Sequence, residues 1–171
     1  MSELYKYKAK CTRIIDGDTV ELSIDLGFDI TVNINTRLAG IDTPEIRTKN
    51  ELEKKAGNKV KDILSSLLIG KELLVKTYKD SDKYGRYICD IFVDNMNVNE
   101  FLVNMGYAFS YNGGARESWT DDKLKYIINL DIVETWFLIK KLIYWLYNQY
   151  INLYLFYIQR KGREGKEWLK E

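Results

Sequence analysis

The sequence predicts an α+β protein dominated by a small barrel: five strands of OB type, helices packed on them, and an atypical helical tail. Three observations carry that expectation. Strand-like alternation fills residues 5–38. A single long run at helical spacing then interrupts the strands, and two more strand-like runs follow it before a short helical one.

The first strand-like run is Tyr7 to Ile15 and the second is Thr19 to Asp25, with Asp16-Gly17-Asp18 as a turn between them. Leu26-Gly27 makes the next turn. Phe28 to Leu38 reads as a third strand, with Ile30, Val32 and Ile34 at alternate places. The chain's single proline, Pro44, stiffens the segment from Ala39 to Arg47 and pushes Thr43 toward extended geometry. From Lys49 to Leu68, the apolar residues Leu52, Ala56, Val60, Ile63, Leu64 and Leu67 recur at three- and four-residue spacing, and Gly70 is the stop signal. Residues 71–79 and 86–94 read as two strands joined by a turn at 80–85. Residues 99–104 read as a short helix closed by Gly106, with Asn99 as its expected cap.

With 171 residues, 46% hydrophobic and 30% charged, most of the chain is expected to fold without staples. The net charge is only +1, so any grip on phosphate must come from a few placed cations rather than a strongly basic surface. Cys11 and Cys89 lie far apart inside strand-like runs, where small buried side chains are expected. The chain has no histidine. That excludes Ser-His and Cys-His catalysis and histidine metal ligation, and leaves carboxylates, cations and an oxygen-ligated metal for any hydrolysis.

Three patches place such groups in turns beside strands: Asp16-Gly17-Asp18-Thr19, Arg37 through Asp42-Thr43-Pro44-Glu45, and Asp82-Lys83-Tyr84-Gly85-Arg86. Each alone has a plain structural explanation. Together they supply what phosphodiester hydrolysis needs. Carboxylates from separate turns can hold a hard cation. Two arginines can grip a phosphate with forked donors. A further carboxylate can take a proton from water. Glu45 followed by Glu53-Lys54-Lys55 faintly echoes another nuclease pattern, but that pattern needs strand positions and these residues fall on a helical run.

Ile15 to Val20, Arg37 through Glu45, Asp82 to Arg86 and Val98-Asn99-Glu100, in that order, resemble the staphylococcal nuclease family over about residues 5–111. The resemblance implies a calcium-dependent nuclease that hydrolyses DNA and RNA with little sequence preference and releases the 5′-oxygen. It implies Asp18, Asp42 and the Thr43 carbonyl as Ca2+ ligands, with Asp16 behind them. Arg37 and Arg86 would bind the scissile phosphate, and Glu45 would activate or orient water. Lys83 and Tyr84 would meet the nucleotide, and Tyr107, Phe109 and Tyr111 are candidates for a stacking aromatic, of which Tyr111, next to Asn112-Gly113-Gly114, is the choice. Asn99 and Glu100 would fix the short helix to the barrel. The alternative is a catalytically silent nucleic-acid-binding module, against which Arg37, Glu45, Arg86 and both aspartates all stand.

The expected division is a nuclease-like domain over 5–114 and an aromatic-rich helical tail over 115–171. After Trp119 no segment resembles the polar third helix of the family. Instead Tyr144, Tyr147, Tyr150, Tyr154 and Tyr157 share one helical face, and residues 142–158 carry no charge. Three readings stay open for the 120–158 segment. It covers the barrel or pairs with another copy. It meets a membrane, flanked by Lys140, Lys141, Arg160 and Lys161. Or it is not a selected fold element, as after a frame shift or truncation. The N-terminus has no apolar leader, so a cytoplasmic or viral setting is expected.

Overall fold

The computed structural model describes residues 5–81 and 86–130. In chain order the elements are β1 (Lys6–Asp16), β2 (Thr19–Asp25), β3 (Thr31–Leu38), β4 (Ile41–Asp42), α1 (Glu51–Leu68), β5 (Leu73–Ser81), β6 (Tyr87–Val93), β7 (Met96–Asn97), α2 (Val98–Asn104), β8 (Phe109–Ser110) and α3 (Asp121–Asn129). Antiparallel pairing runs β3-β2-β1-β5-β6, and a parallel pairing of β3 with β6 closes the ring. This is the five-stranded barrel that the element order predicts, with helices packed on it. Its interior is filled from alternating strand positions such as Val20, Leu22, Leu38, Val75 and Ile91.

The β1–β2 hairpin turns on two residues, Gly17 and Asp18, with Asp16 paired to Thr19. The third strand starts later than its alternation suggests. Phe28 and Asp29 take positive φ angles of 54° and 60° and so extend the turn that begins at Gly27. Helix α1 is capped by Asn50, whose side chain accepts from the backbone N–H of Leu52 and Glu53 at 3.0 and 3.3 Å. It buries Ala56, Gly57, Val60, Ile63, Leu64 and Leu68. Glu53, Lys54 and Lys55 lie on this helix, which removes the rival nuclease pattern. Gly70, at φ +73°, turns the chain out of the helix end.

The cap of α2 is Asn97, not Asn99: its side chain accepts from the N–H groups of Asn99 and Glu100 at 3.0 and 3.2 Å. Asn99 is buried and does something else. Its amide donates to the carbonyls of Ala39 (2.9 Å) and Cys89 (3.1 Å), and its side-chain oxygen accepts from Ile91 N–H at 3.2 Å. It therefore pins α2 to the strands on both sides of the barrel closure.

A third helix is present after Trp119. α3 buries Leu124 and Ile127 and packs on α1. Its nine residues hold only two buried apolar positions, too few for sequence periodicity to reveal. Cys11 and Cys89 are free and buried, and burial pushes their thiols up to about 11 and about 12. None of the helices among the described residues is long and apolar enough to cross a membrane. The aromatic segment at 142–158, and the readings attached to it, lie outside the described residues.

Replacing Asn99 by alanine is expected to orphan the Ala39 carbonyl and the Ile91 N–H at the closure, while the Cys89 carbonyl keeps the Ala39 N–H, and to cost about 2–3 kcal/mol of stability. Urea denaturation checks this; an unchanged midpoint would remove Asn99 from the closure.

Candidate active site

The closure of the barrel builds the site. Arg37 in β3 pairs with Thr19 of β2 on one side and with Ile88 of β6 on the other. Its guanidinium faces two carboxylates: Nη1 pairs with Asp18, and Nη2 lies 3.4 Å from Asp42 Oδ1. Nη2 also donates to the Ile41 carbonyl at 3.2 Å. Asp18 and Asp42 are only 6% and 4% exposed. Two buried carboxylates from separate turns thus share one arginine.

Local sequence explains how they meet. Asp18 sits in the two-residue hairpin turn, where its N–H donates to the Asp16 carboxylate at 3.3 Å. Asp16 therefore stands directly behind Asp18. A Cβ on Gly17 would lie 2.7 Å from Thr43 Oγ1, so glycine is what lets the hairpin reach the buried Thr43. A Cβ on Gly57 would lie 2.6 Å from the Pro44 carbonyl. Helix α1 thus supports the Thr43–Glu45 segment at backbone contact. Asp42 itself is held by a two-stranded pairing of β4 with β8.

Burial pushes the Asp18 carboxyl from its ordinary 3.8 up to about 7; Arg37 opposes the push and the neighbouring Asp16 adds to it. Burial also raises Asp42, against Arg116 and Arg37. The donors fit a cation. They are oxygens alone, and the two buried carboxylates carry more desolvation than the one shared arginine offsets. Among the described residues no cluster of three or more Asp, Glu, Cys or His side chains could hold a metal. Backbone oxygens, the Thr43 carbonyl included, and water would have to complete such a shell.

Arg86 Nη1 lies 3.5 Å from Thr19 Oγ1, and Thr19 in turn donates to Asp18 at 2.8 Å. Arg37, Arg86 and Tyr111 line one cleft of about 520 Å³. Tyr111 is anchored there by its N–H donating to the Gly40 carbonyl at 2.8 Å. Glu45 does not line the cleft but contacts Arg116, which does, and its side chain is 51% exposed. The structure thus brings together Asp16, Asp18, Arg37, Asp42, Thr43, Glu45, Arg86 and Tyr111. Lys83 and Tyr84 lie outside the described residues.

Two further residues belong to this group. Thr19, part of the first patch but given no role there, links Arg86 to Asp18; Arg116 lies outside the motifs. Arg116 reaches Glu45 Oε1 at 2.8 Å and Asp42 Oδ1 at 3.4 Å, and also lines the cleft. It is the lone arginine between Arg86 and Arg160, two residues beyond Gly113-Gly114.

Comparison with known proteins places the chain in a family. The family model described as staphylococcal nuclease homologue matches residues 35–129. The chain belongs to that family. The match runs from within β3 to the end of α3, including the loop that carries Arg116. A protein of Escherichia coli O157:H7 named "Uncharacterized endonuclease" is 35% identical over 103 residues, which is 60% of this chain and 60% of that protein. An uncharacterized protein of Methanocaldococcus jannaschii is 30% identical over 128 residues, 61% of this chain and 59% of its own length. The "Probable staphylococcal-like nuclease CAN1" of Oryza sativa subsp. japonica is 37% identical over 75 residues, 44% of this chain and 20% of that protein. The chain therefore spans at most about three fifths of these relatives.

A pH dependence follows from Asp18. Between its ordinary 3.8 and about 7 the folded protein keeps a proton that the unfolded chain has released. Raising pH through that window therefore costs stability. Thermal melts of chelator-treated protein should show wild type losing stability relative to Asp18→Asn from pH 4 to pH 7. A margin that grows with pH would contradict the assignment.

Proposed function

We propose that the protein is a calcium-dependent nuclease that hydrolyses phosphodiester bonds of DNA and RNA with little sequence preference. One observation carries this reading. Asp18, Arg37, Asp42, Glu45 and Arg86, drawn from separated parts of the chain, converge beside one cleft at the barrel closure. Membership in the nuclease family and the endonuclease name of the Escherichia coli relative support it.

In this reading Asp18, Asp42 and the Thr43 carbonyl hold the ion, and Asp16 supports Asp18 from behind. Bound calcium would neutralise charge on the phosphate as it builds. Arg37 and Arg86 face the cleft and grip the phosphate oxygens; the forked guanidinium suits that task. Glu45, held beside the cleft by Arg116, takes a proton from the attacking water. The water oxygen bonds to phosphorus, the bond to the 5′-oxygen breaks, and that oxygen leaves with a proton, so a 3′-phosphate remains. Tyr111, in the cleft wall, offers a face for a base; each such stack contributes about 1–3 kcal/mol. Lys83 and Tyr84 complete the nucleotide contacts in this account.

Cleavage of single-stranded DNA is expected with calcium and is expected to stop with a chelator. Arg86→Ala should lower turnover by about 10²–10³-fold with the fold intact, because it removes one charge-stabilising donor. Glu45→Ser/Arg86→Ala should abolish it. Folded wild type that binds DNA and leaves it uncut in calcium would contradict the proposal.

A further inference from the structure

Arg116 lies outside every motif that led to the site, yet it makes the shortest polar contact to Glu45. Nη1 stands 2.8 Å from Oε1 across 71 residues of sequence, and Nε stands 3.4 Å from Asp42 Oδ1. Glu45 has a half-exposed side chain, so packing alone does not choose its rotamer. Among the described residues Arg116 is the cation that does.

The arm that delivers Arg116 is fastened at both ends. At its start β8 pairs with β4, the two-residue strand that carries Asp42, and Tyr111 N–H donates to Gly40. At its end Trp119 stacks on Phe109 with ring centroids 4.0 Å apart, and Lys123 Nζ lies 4.0 Å over the same Phe109 ring. The pairing that fixes Asp42 also sets where the Arg116 arm begins. A forked guanidinium spanning two carboxylates constrains both, which a lysine point charge does less well.

We propose that Arg116 is a positioning residue of the nuclease site, bridging Asp42 and Glu45 so that the Glu45 carboxylate is held where it can take a proton from water. The proposal rests on the reading of Glu45 given above and adds a residue that acts through it. Arg116 also lines the cleft, so direct contact with a substrate phosphate is the competing role.

A double-mutant cycle separates the two. Turnover and KM on single-stranded DNA with calcium are measured for wild type, Arg116→Ala, Arg116→Lys, Glu45→Ser and Glu45→Ser/Arg116→Ala. Loss of positioning should lower kcat by about 10–100-fold in Arg116→Ala with KM little changed. Arg116→Lys should restore part of that loss. On the Glu45→Ser background the same alanine should cost nothing further, as expected of residues that act as one unit. A raised KM with kcat kept, in both backgrounds, would overturn the proposal in favour of phosphate contact. A lowered melting temperature with unchanged kinetics would overturn it in favour of loop anchoring.

A measurement without turnover keeps this separate from the nuclease reading itself. NMR scalar couplings at the Glu45 side chain should show one dominant rotamer in wild type and averaging in Arg116→Ala. A single rotamer in both proteins would overturn the positioning role even in a protein that cleaves DNA. Averaging in the variant of a protein that does not cleave would uphold the contact and sink the nuclease reading alone.

Discussion

Two buried carboxylates around one arginine set the terms for this molecule. Asp18 and Asp42 are nearly inaccessible, and both are pushed up by burial despite Arg37 between them. Charges removed from water are costly unless paired and hydrogen-bonded. Arg37 answers that cost from β3, a strand bonded on both sides at the closure, with β2 and β6 as its neighbours. Closing the barrel and assembling the charges are therefore one event. Any change that opens β3 from β6 also exposes or unpairs the carboxylates.

The surroundings hold this arrangement by close backbone approach. Gly17 lets the first hairpin reach Thr43, and Gly57 lets α1 reach the Pro44 carbonyl. Neither glycine takes a left-handed φ, so the absence of a side chain rather than backbone freedom is what each contributes. Asn99 completes the scheme from the opposite side. It joins Ala39, just after β3, to Cys89 and Ile91 of β6. Rigid support of this kind is what a site needs when its chemistry depends on fixed charges rather than a mobile nucleophile.

The barrel was legible because its signals are local. The Asp16-Gly17-Asp18 turn, the alternation from Tyr7 to Asp25 and the apolar face of α1 each lie within one short window. The site residues Asp16, Asp18, Arg37, Asp42, Thr43, Glu45 and Arg86 were legible because they cluster in three turns. What escaped depends on contacts that no window contains. The start of β3 was lost to two residues with positive φ that still alternate like a strand. The role of Asn97 as cap was masked by Asn99, two residues on and equally good by type. Helix α3 falls in the segment expected to be helical, but its place as a third helix packed on α1 escaped, because only Leu124 and Ile127 mark its buried face. Arg116 was hidden for the same reason: its partners are 71 and 74 residues away.

In the proposed enzyme one cation and one phosphate meet at the Arg37 closure. A crystal structure of the Glu45→Ser protein with calcium and an uncleaved single-stranded oligonucleotide tests it most directly. Calcium is expected on the Asp18 and Asp42 carboxylates and the Thr43 carbonyl, with a phosphate between Arg37 and Arg86. Calcium elsewhere, or an oligonucleotide that tracks another face of the barrel and leaves Arg37 on Asp18 and Asp42, would contradict it.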